Sequence, residues 1–300
     1  MTIDTTTIDT TTIDTTTIDT MTIALIGAGG KMGRRITDNL RTTEAQVRHV
    51  EKSEAGAERL REAGVETMPL EEAVDGVDVA ILAVPDVALG AVSAEVVPLL
   101  PAGAILMTLD PAAAYAGLLS PRDDVEYVCA HPAHPSIFLK RRTDEEYADT
   151  FGGVAAPQHA VAAVESGDEA VAERAAEVIR AIYAPVIDVH WVTVKQLAVL
   201  EPTLVETIAC MIGELLHEAL EETVNTVGVP RQAAEALFHG HIQVALANAL
   251  RGDNPFSEAC HIAMGHGRDM IIKEDWKRVF DDSVLDDTIA KMLKIEAVRR

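Results

Sequence analysis

The chain predicts an α/β domain built on a doubly wound parallel sheet, followed by an all-α domain, and three observations carry this. The apolar run Ile23–Ile26 is followed at once by glycines at 27, 30 and 33 and then by a helical stretch. From there to about residue 190, short apolar runs alternate with amphipathic ones, as strands and helices do in a parallel sheet. Beyond Trp191 the strand signals stop and helical periodicity runs to the C-terminus. The expected division is 1–20 as a leader, 21–190 as the α/β domain and 191–300 as the helical domain.

The 300 residues suit two domains with a large core. With 48 acidic against 25 basic residues the formal net charge is -23, which repels nucleic acid and anionic membranes alike, so neither is an expected partner. The same excess of acid points to a salt-rich, halophilic source, where screening removes the self-repulsion. No run is apolar enough to span a membrane, and the start lacks a charged-then-apolar signal. Cys129, Cys210 and Cys260 are few and far apart, which fits a reducing compartment. A soluble cytoplasmic protein is expected.

Residues 1–20 repeat Thr-Ile-Asp-Thr with a five-residue period that matches neither helix nor strand, so a disordered leader is expected, with Met21 as the functional start. Ile23–Ile26 then reads as a buried strand. After it, Gly27-Ala28-Gly29-Gly30-Lys31-Met32-Gly33 turns tightly into a helix from Arg34 to Leu40. A strand, glycine loop and helix in that order form a Rossmann-like cradle for the pyrophosphate of a dinucleotide. Without Cβ atoms the backbone approaches the phosphates, and the helix N-terminus faces them. Gly27, Gly29, Gly30, Lys31, Met32 and Gly33 are therefore expected to bind the cofactor.

Gln46–Glu51 is the next strand. Its terminal Glu51 lies about twenty residues beyond the loop, where a carboxylate accepts hydrogen bonds from the adenosine ribose. That carboxylate repels a 2′-phosphate, so NAD is favoured over NADP, although Arg48 and Lys52 nearby weaken the preference. Residues 56–63 read as a helix and 65–68 as a short strand. Asp78–Pro85 is continuously apolar after its first residue, as in a strand covered on both faces. It leads into Val84-Pro85-Asp86 at a strand end, where ligands of open α/β sheets sit, so these three residues join the cofactor-binding set. The following strand ends on Asp110, counted with them, and the one after spans Val125–Ala130. Residues 160–164 and 185–189 are added strands flanking a helix over 170–183.

In the helical part, Val192–Asn225 reads as one long helix kinked at Pro202, which cannot donate and clashes with the previous turn. Pro230 opens a helix to about Leu250, and Asn254-Pro255-Phe256-Ser257 opens another.

Two sets of residues carry chemistry. His131-Pro132-Ala133-His134-Pro135 follows a central strand, and each histidine precedes a proline, which biases it to extended backbone at the rim of the cofactor cleft. Either imidazole can move a proton near neutral pH or hold a metal. In the second domain Glu201 sits beside Pro202 among Leu197, Val199, Leu200 and Leu204, where a carboxylate needs a partner or an elevated pKa. His131, His134 and Glu201 are the catalytic candidates, and His131 with Glu201 the candidate ligands of a divalent metal. Lys195 and Glu206 share a helix face but lie about 16 Å apart, too far for one compact site. Ser257 and Cys260 are candidates for the cleft wall that packing explains equally well.

The glycine loop, Ala83-Val84-Pro85-Asp86, His131–Pro135, Leu200-Glu201-Pro202 and Asn254-Pro255-Phe256-Ser257-Glu258-Ala259 together resemble the D-apionate oxidoisomerase family, a branch of the 6-phosphogluconate dehydrogenase-like proteins. The resemblance runs from about Met21 to the C-terminus. It implies a Rossmann domain that binds NAD, a helical domain that completes the site and dimerises, and oxidation of a branched sugar acid coupled to an α-ketol rearrangement. It points at His131 and Glu201. The wider superfamily's Lys-x-x-x-Asn pair has no clear counterpart here, Lys195 standing alone for the lysine. The loop is also similar to that of dihydrodipicolinate reductases and prephenate dehydrogenases.

The expected reaction is hydride transfer from a hydroxyl-bearing carbon of a small hydroxy or sugar acid to NAD, with His131 or Glu201 taking the hydroxyl proton. A 3-hydroxyacid or prephenate-type dehydrogenase would leave the carbon skeleton unaltered. A non-catalytic NAD sensor would bind nucleotide without reducing it. The many aliphatic positions of the helical part suggest a homodimer.

Overall fold

The computed structural model describes residues 18–166 and 169–299, so the expectation for the first seventeen residues lies outside what it describes. The chain divides into two compact units.

The first unit comprises residues up to Asp110, Leu119–Pro135 and Arg141–Thr193. Its seven strands are β1 (Thr22–Ile26), β2 (Gln46–Val50), β3 (Val79–Leu82), β4 (Ile105–Thr108), β5 (Glu126–Pro132), β6 (Gln158–Ser166) and β7 (Val186–Trp191). They form one sheet in the order β2-β1-β3-β4-β5-β6-β7, in which β5 and β6 alone pair antiparallel. Every residue of β3 and β4 is buried, as their unbroken apolar runs require of strands covered on both faces. The chain leaves β1 towards β2 on one side and returns to β3 on the other. The C-terminal ends of β1 and β3 therefore flank the point where strand order reverses, the place where open α/β sheets take their ligands.

The helices of this unit are α1 (Lys31–Leu40), α2 (Glu54–Glu62), the short α3 (Leu70–Ala73), α4 (Asp86–Val96), with α6 (Asp144–Ala148) and α7 (Glu169–Ile182) further on. Between α4 and α6 comes α5 (Ala112–Tyr115), which groups with the second unit. Ile36 and Leu40 of α1 join Val178, Ile179 and Ile182 of α7 in the core with Ile23 and Leu25. Asn39 donates to the carbonyl of Ile182 at 3.0 Å.

Two expectations need correction. Residues 18–20, assigned to the leader, form a 3₁₀ turn whose Ile18 is fully buried in this core. Burying one isoleucine is worth about 1.5–3 kcal/mol, which offsets a good part of the entropy of ordering the turn that carries it. Residues 65–68 make only a single bridge, Thr67 to His49, in place of a strand.

The second unit comprises Pro111–Leu118, Ser136–Lys140 and Val194–Arg300. It holds α8 (Val194–Ala198), a π-helical stretch Val199–Cys210, α9 (Met211–Asn225), α10 (Arg231–Arg251), α11 (Glu258–Ile271) and α12 (Asp282–Leu293). Ala112, Tyr115 and Ala198 pack on Leu285, Ile289 and Leu293 of α12, and the Tyr115 hydroxyl donates to Asp286 at 2.8 Å. The expected kink at Pro202 is a widened winding: the stretch from 199 absorbs the missing N–H, and Thr207 Oγ1 donates to the Pro202 carbonyl five residues back at 2.7 Å. Among the described residues no helix is long and apolar enough to cross a membrane.

Candidate active site

At the end of β1 the chain turns through Gly27, whose φ of +83° lies in the left-handed region; a Cβ there would stand 2.5 Å from the carbonyl oxygen of Ala83. The Gly30 N–H closes the turn on the Gly27 carbonyl at 3.1 Å. Gly33 lies one helical turn on, where a Cβ would run into Gly27 and Ala28 backbone. The helix begins at Lys31 rather than Arg34. Its N-cap, Gly30, has no side chain with which to cap it, so the first-turn N–H groups are open to an external anion.

Glu51 fixes this loop from the end of β2. Oε2 accepts from the buried Gly29 N–H at 2.9 Å, while Oε1 accepts from the Ser53 N–H at 2.8 Å and its hydroxyl at 2.7 Å. Arg59 grips the Gly29 carbonyl from the other side, at 3.0 and 3.1 Å. Burial raises the Glu51 pKa, but these donors and Arg59 outweigh it, and the group sits below its ordinary value. An ionised carboxylate has about four acceptor positions, so with three donors bound one position is still open to a further hydroxyl. The two cations that clouded the choice of NAD are held elsewhere: Arg48 donates to the Asp75 carbonyl and Lys52 pairs with Glu95.

Because its pKa is depressed in the fold, Glu51 contributes stability above its unfolded pKa and loses it as pH falls through the folded one. Glu51→Ala leaves the Gly29 amide unpaired and is expected to cost about 1–3 kcal/mol. In thermal melts over an acid pH series, the difference from the parent chain should shrink as pH falls through the folded pKa.

The chemical groups of this unit gather at the strand ends. Asp86 opens α4, Asp110 follows β4, and His131 lies within β5 rather than after it. His131 Nδ1 is 3.0 Å from the carbonyl oxygen of Leu109. A carbonyl only accepts, so Nδ1 carries the proton and Nε2 the lone pair. Burial, with His134 adding to it, lowers the His131 pKa against the opposing Leu109 carbonyl and Asp86, so the ring is neutral near pH 7. Burial and the neighbouring Asp110 push Asp86 up to about 6, against the pull of His131. The ligand atoms of Asp110 and His131 lie within 4.8 Å of each other, a carboxylate and imidazole pair suited to a divalent cation.

His134 departs from expectation. In place of extended backbone it takes φ 59°, in the left-handed region. Its Nδ1 donates to the Phe151 carbonyl at 2.7 Å and its ring rests on the Phe151 ring at 4.5 Å, contacts that hold it against the proline bias. The His131 and His134 rings stand edge to face, 6.1 Å apart.

Phe151 escaped the sequence reading. The Lys31 ammonium and the Arg35 guanidinium lie over its ring at 4.8 and 4.6 Å, and Arg35 also donates to the Gly152 carbonyl. The available signal was Asp149-Thr150-Phe151-Gly152-Gly153, an Asp followed by paired glycines, the composition of a side-chain-capped turn.

Of the expected site residues, the loop glycines, Lys31, Met32, Glu51, Val84, Pro85, Asp86, Asp110, His131 and His134 all belong to the first unit. Glu201 belongs to the second, on the π-helical stretch, where it is buried beside Pro202 and Thr203 rather than turned outward. Lys195 pairs with Asp282 at 2.7 Å. Ser257 caps α11, its hydroxyl accepting from the Cys260 N–H at 3.2 Å, which accounts for its position.

Two family descriptions match. "Acetohydroxy acid isomeroreductase, NADPH-binding domain" covers residues 17–182, and "Phosphogluconate dehydrogenase (decarboxylating) C-term" covers 139–293. A D-apionate oxidoisomerase of Pectobacterium atrosepticum is 57% identical over 278 residues, 93% of this chain and 98% of the relative. One from Cupriavidus necator is 42% identical over 274 residues, 90% of this chain and 98% of that protein. A crystal structure of a semialdehyde dehydrogenase NAD-binding protein from Cupriavidus necator, in complex with calcium and NAD, superposes with a TM-score of 0.87 at 41% identity. It covers 91% of this chain and 99% of that one. With identity at this level along nearly the whole of both chains, the protein belongs to the D-apionate oxidoisomerase family, within the 6-phosphogluconate dehydrogenase-like NAD(P)-binding oxidoreductases.

Proposed function

We propose that this chain oxidises D-apionate, or a sugar acid closely similar to it, with NAD, and couples the oxidation to an α-ketol rearrangement. The observation that carries the reading is His131, a neutral imidazole whose Nδ1 is tied to the Leu109 carbonyl and whose Nε2 is left to accept a proton. The name shared by the relatives supplies the substrate class.

In the oxidation a hydride leaves the carbinol carbon and the hydroxyl proton goes to a base. His131 takes that proton at Nε2, and the Leu109 carbonyl keeps the ring oriented while it does so. NAD supplies the hydride acceptor, and a divalent ion would polarise the new carbonyl for the carbon shift. Nε2 serves as base or as ligand but not as both, so with His131 as the base Asp110 would be the first unit's donor for such an ion, and the open amides at the start of α1 would be its donors for the pyrophosphate. Glu201 remains a candidate base or ligand, and Glu201→Gln tests it.

The decisive assay supplies D-apionate with NAD or NADP, with and without chelator, and follows both reduced cofactor and the product's carbon skeleton by NMR. A rearranged product with NAD is expected. An unaltered skeleton would indicate a simple dehydrogenase, and nucleotide binding without reduction a sensor.

The assembly we infer is a cytoplasmic homodimer. Leu237, Val244 and Leu250 of α10 and Ile262 and Met264 of α11 are all exposed, and a second copy of the chain would cover them. Sedimentation at working concentration checks this, a monomer overturning it. The net charge of -23 supports adaptation to salt. Melting temperature is expected to rise with KCl into the molar range, and a maximum in dilute buffer would end that reading.

A further inference from the structure

We propose that Asp149 is a positioning residue for His134. The inference rests on His134, a catalytic candidate of the sequence three residues beyond His131, having a part in the proposed reaction.

Asp149 follows directly on α6 and is buried. Its Oδ1 accepts from the Gly152 N–H at 2.8 Å, and its Oδ2 from the N–H groups of Val154, Ala155 and Ala156 at 3.1, 2.8 and 3.0 Å. Gly152 and Gly153 both take φ +80°, which lets the backbone curl around one carboxylate. Burial raises the pKa of this carboxyl, but the four amides more than offset it, so it stays ionised and keeps its grip.

The curled segment makes two sets of contacts. One presents the Phe151 carbonyl to Nδ1 of His134, at 2.7 Å, with the Phe151 ring against the imidazole. The other carries the Lys31 and Arg35 cations of α1, with Arg35 also donating to the Gly152 carbonyl. A single carboxylate thus ties the first turns of the phosphate-facing helix to an imidazole at the strand ends. Since a carbonyl only accepts, the Phe151 oxygen holds the proton of His134 on Nδ1 and directs the lone pair of Nε2 outward. Released from that bond, the imidazole exchanges between both tautomers and turns freely, and misplacement of about 1 Å in a reacting group costs up to ~10²-fold in rate.

The test uses the full-length protein. Its ¹⁵N spectrum, with His134 assigned through His134→Gln, is expected to show the proton on Nδ1; a predominant Nε2-protonated form overturns the inference without any Asp149 variant. Asp149→Asn keeps the shape but turns amide hydrogens towards the N–H donors. It is expected to lower kcat by roughly tenfold to a hundredfold with D-apionate and NAD, and to mix the His134 tautomers. Asp149→Glu, which keeps the charge, should restore part of the loss. A purely structural role would lower the melting temperature while leaving kcat per folded molecule and the tautomer unchanged, and that result overturns the proposal. Normal turnover in His134→Gln would instead sink the reading on which the inference rests. An impaired His134→Gln beside an unimpaired Asp149→Asn would sink the inference alone.

Discussion

His131→Ala is expected to lower kcat by about 10²- to 10⁴-fold, the range for loss of a positioned general base, while leaving NAD affinity near that of the parent chain. The separation follows from where the groups sit. The proposed phosphate site is the turn after β1 and the open amides of α1, which Glu51 and Arg59 hold through Gly29. His131 is on β5, anchored to Leu109, and takes no part in that clamp. Its removal leaves the Leu109 carbonyl without that donor, a cost of about 1–3 kcal/mol, which is less than the roughly 5–15 kcal/mol typical of a folded domain. Steady-state kinetics with a cofactor titration reads both quantities. Turnover equal to the parent's would refute the assignment, and a parallel loss of NAD binding would mean that His131 shapes the nucleotide site. Metal titration of the same variant separates base from ligand, since a pure base leaves metal affinity unchanged.

What could be read from the chain was whatever its own local spacing dictates. The loop from Gly27 to Gly33 and the acid closing β2 were legible because turn geometry and the length of one β-α-β unit fix their separation. The unbroken apolar runs of β3 and β4 announced two covered faces. The failures share a different cause, contacts between residues distant in sequence. Ile18 looked like the tail of a repeat because nothing local reveals that α7, over 150 residues on, supplies its pocket. The proline after His134 favours extended backbone, yet a carbonyl seventeen residues away holds it at positive φ. Residues 65–68 have the composition of a strand but only His49 as partner. Asp149 and Phe151 were invisible for the same reason: their roles lie in what the folded turn touches, and composition announces only the turn.

Gly33→Ala is the substitution expected to damage the nucleotide site most through packing. Gly33 lies in α1, where alanine is ordinarily the better helix former by about 1 kcal/mol, so propensity alone would stabilise. Here the added Cβ would stand 2.6 Å from both Cα and the carbonyl oxygen of Ala28, with the Gly27 oxygen also in its way. These are backbone atoms of the turn itself, and no side-chain rotation can clear them. Either α1 shifts outward or the turn opens, at a cost of about 1–3 kcal/mol for overpacking, which exceeds the propensity gain. Either movement displaces the first-turn amides from the phosphates. Gly64→Ala is the control. Gly64 has φ +71° but open space where its Cβ would go, so that variant meets only the left-handed backbone penalty, about 1–2 kcal/mol. Both variants should melt lower than the parent, but only Gly33→Ala should also lose NAD affinity in calorimetry, by tenfold or more if about 1.4 kcal/mol of phosphate contact is lost. Equal NAD binding in the two variants would show that the close approach of α1 to the turn does not set the phosphate site.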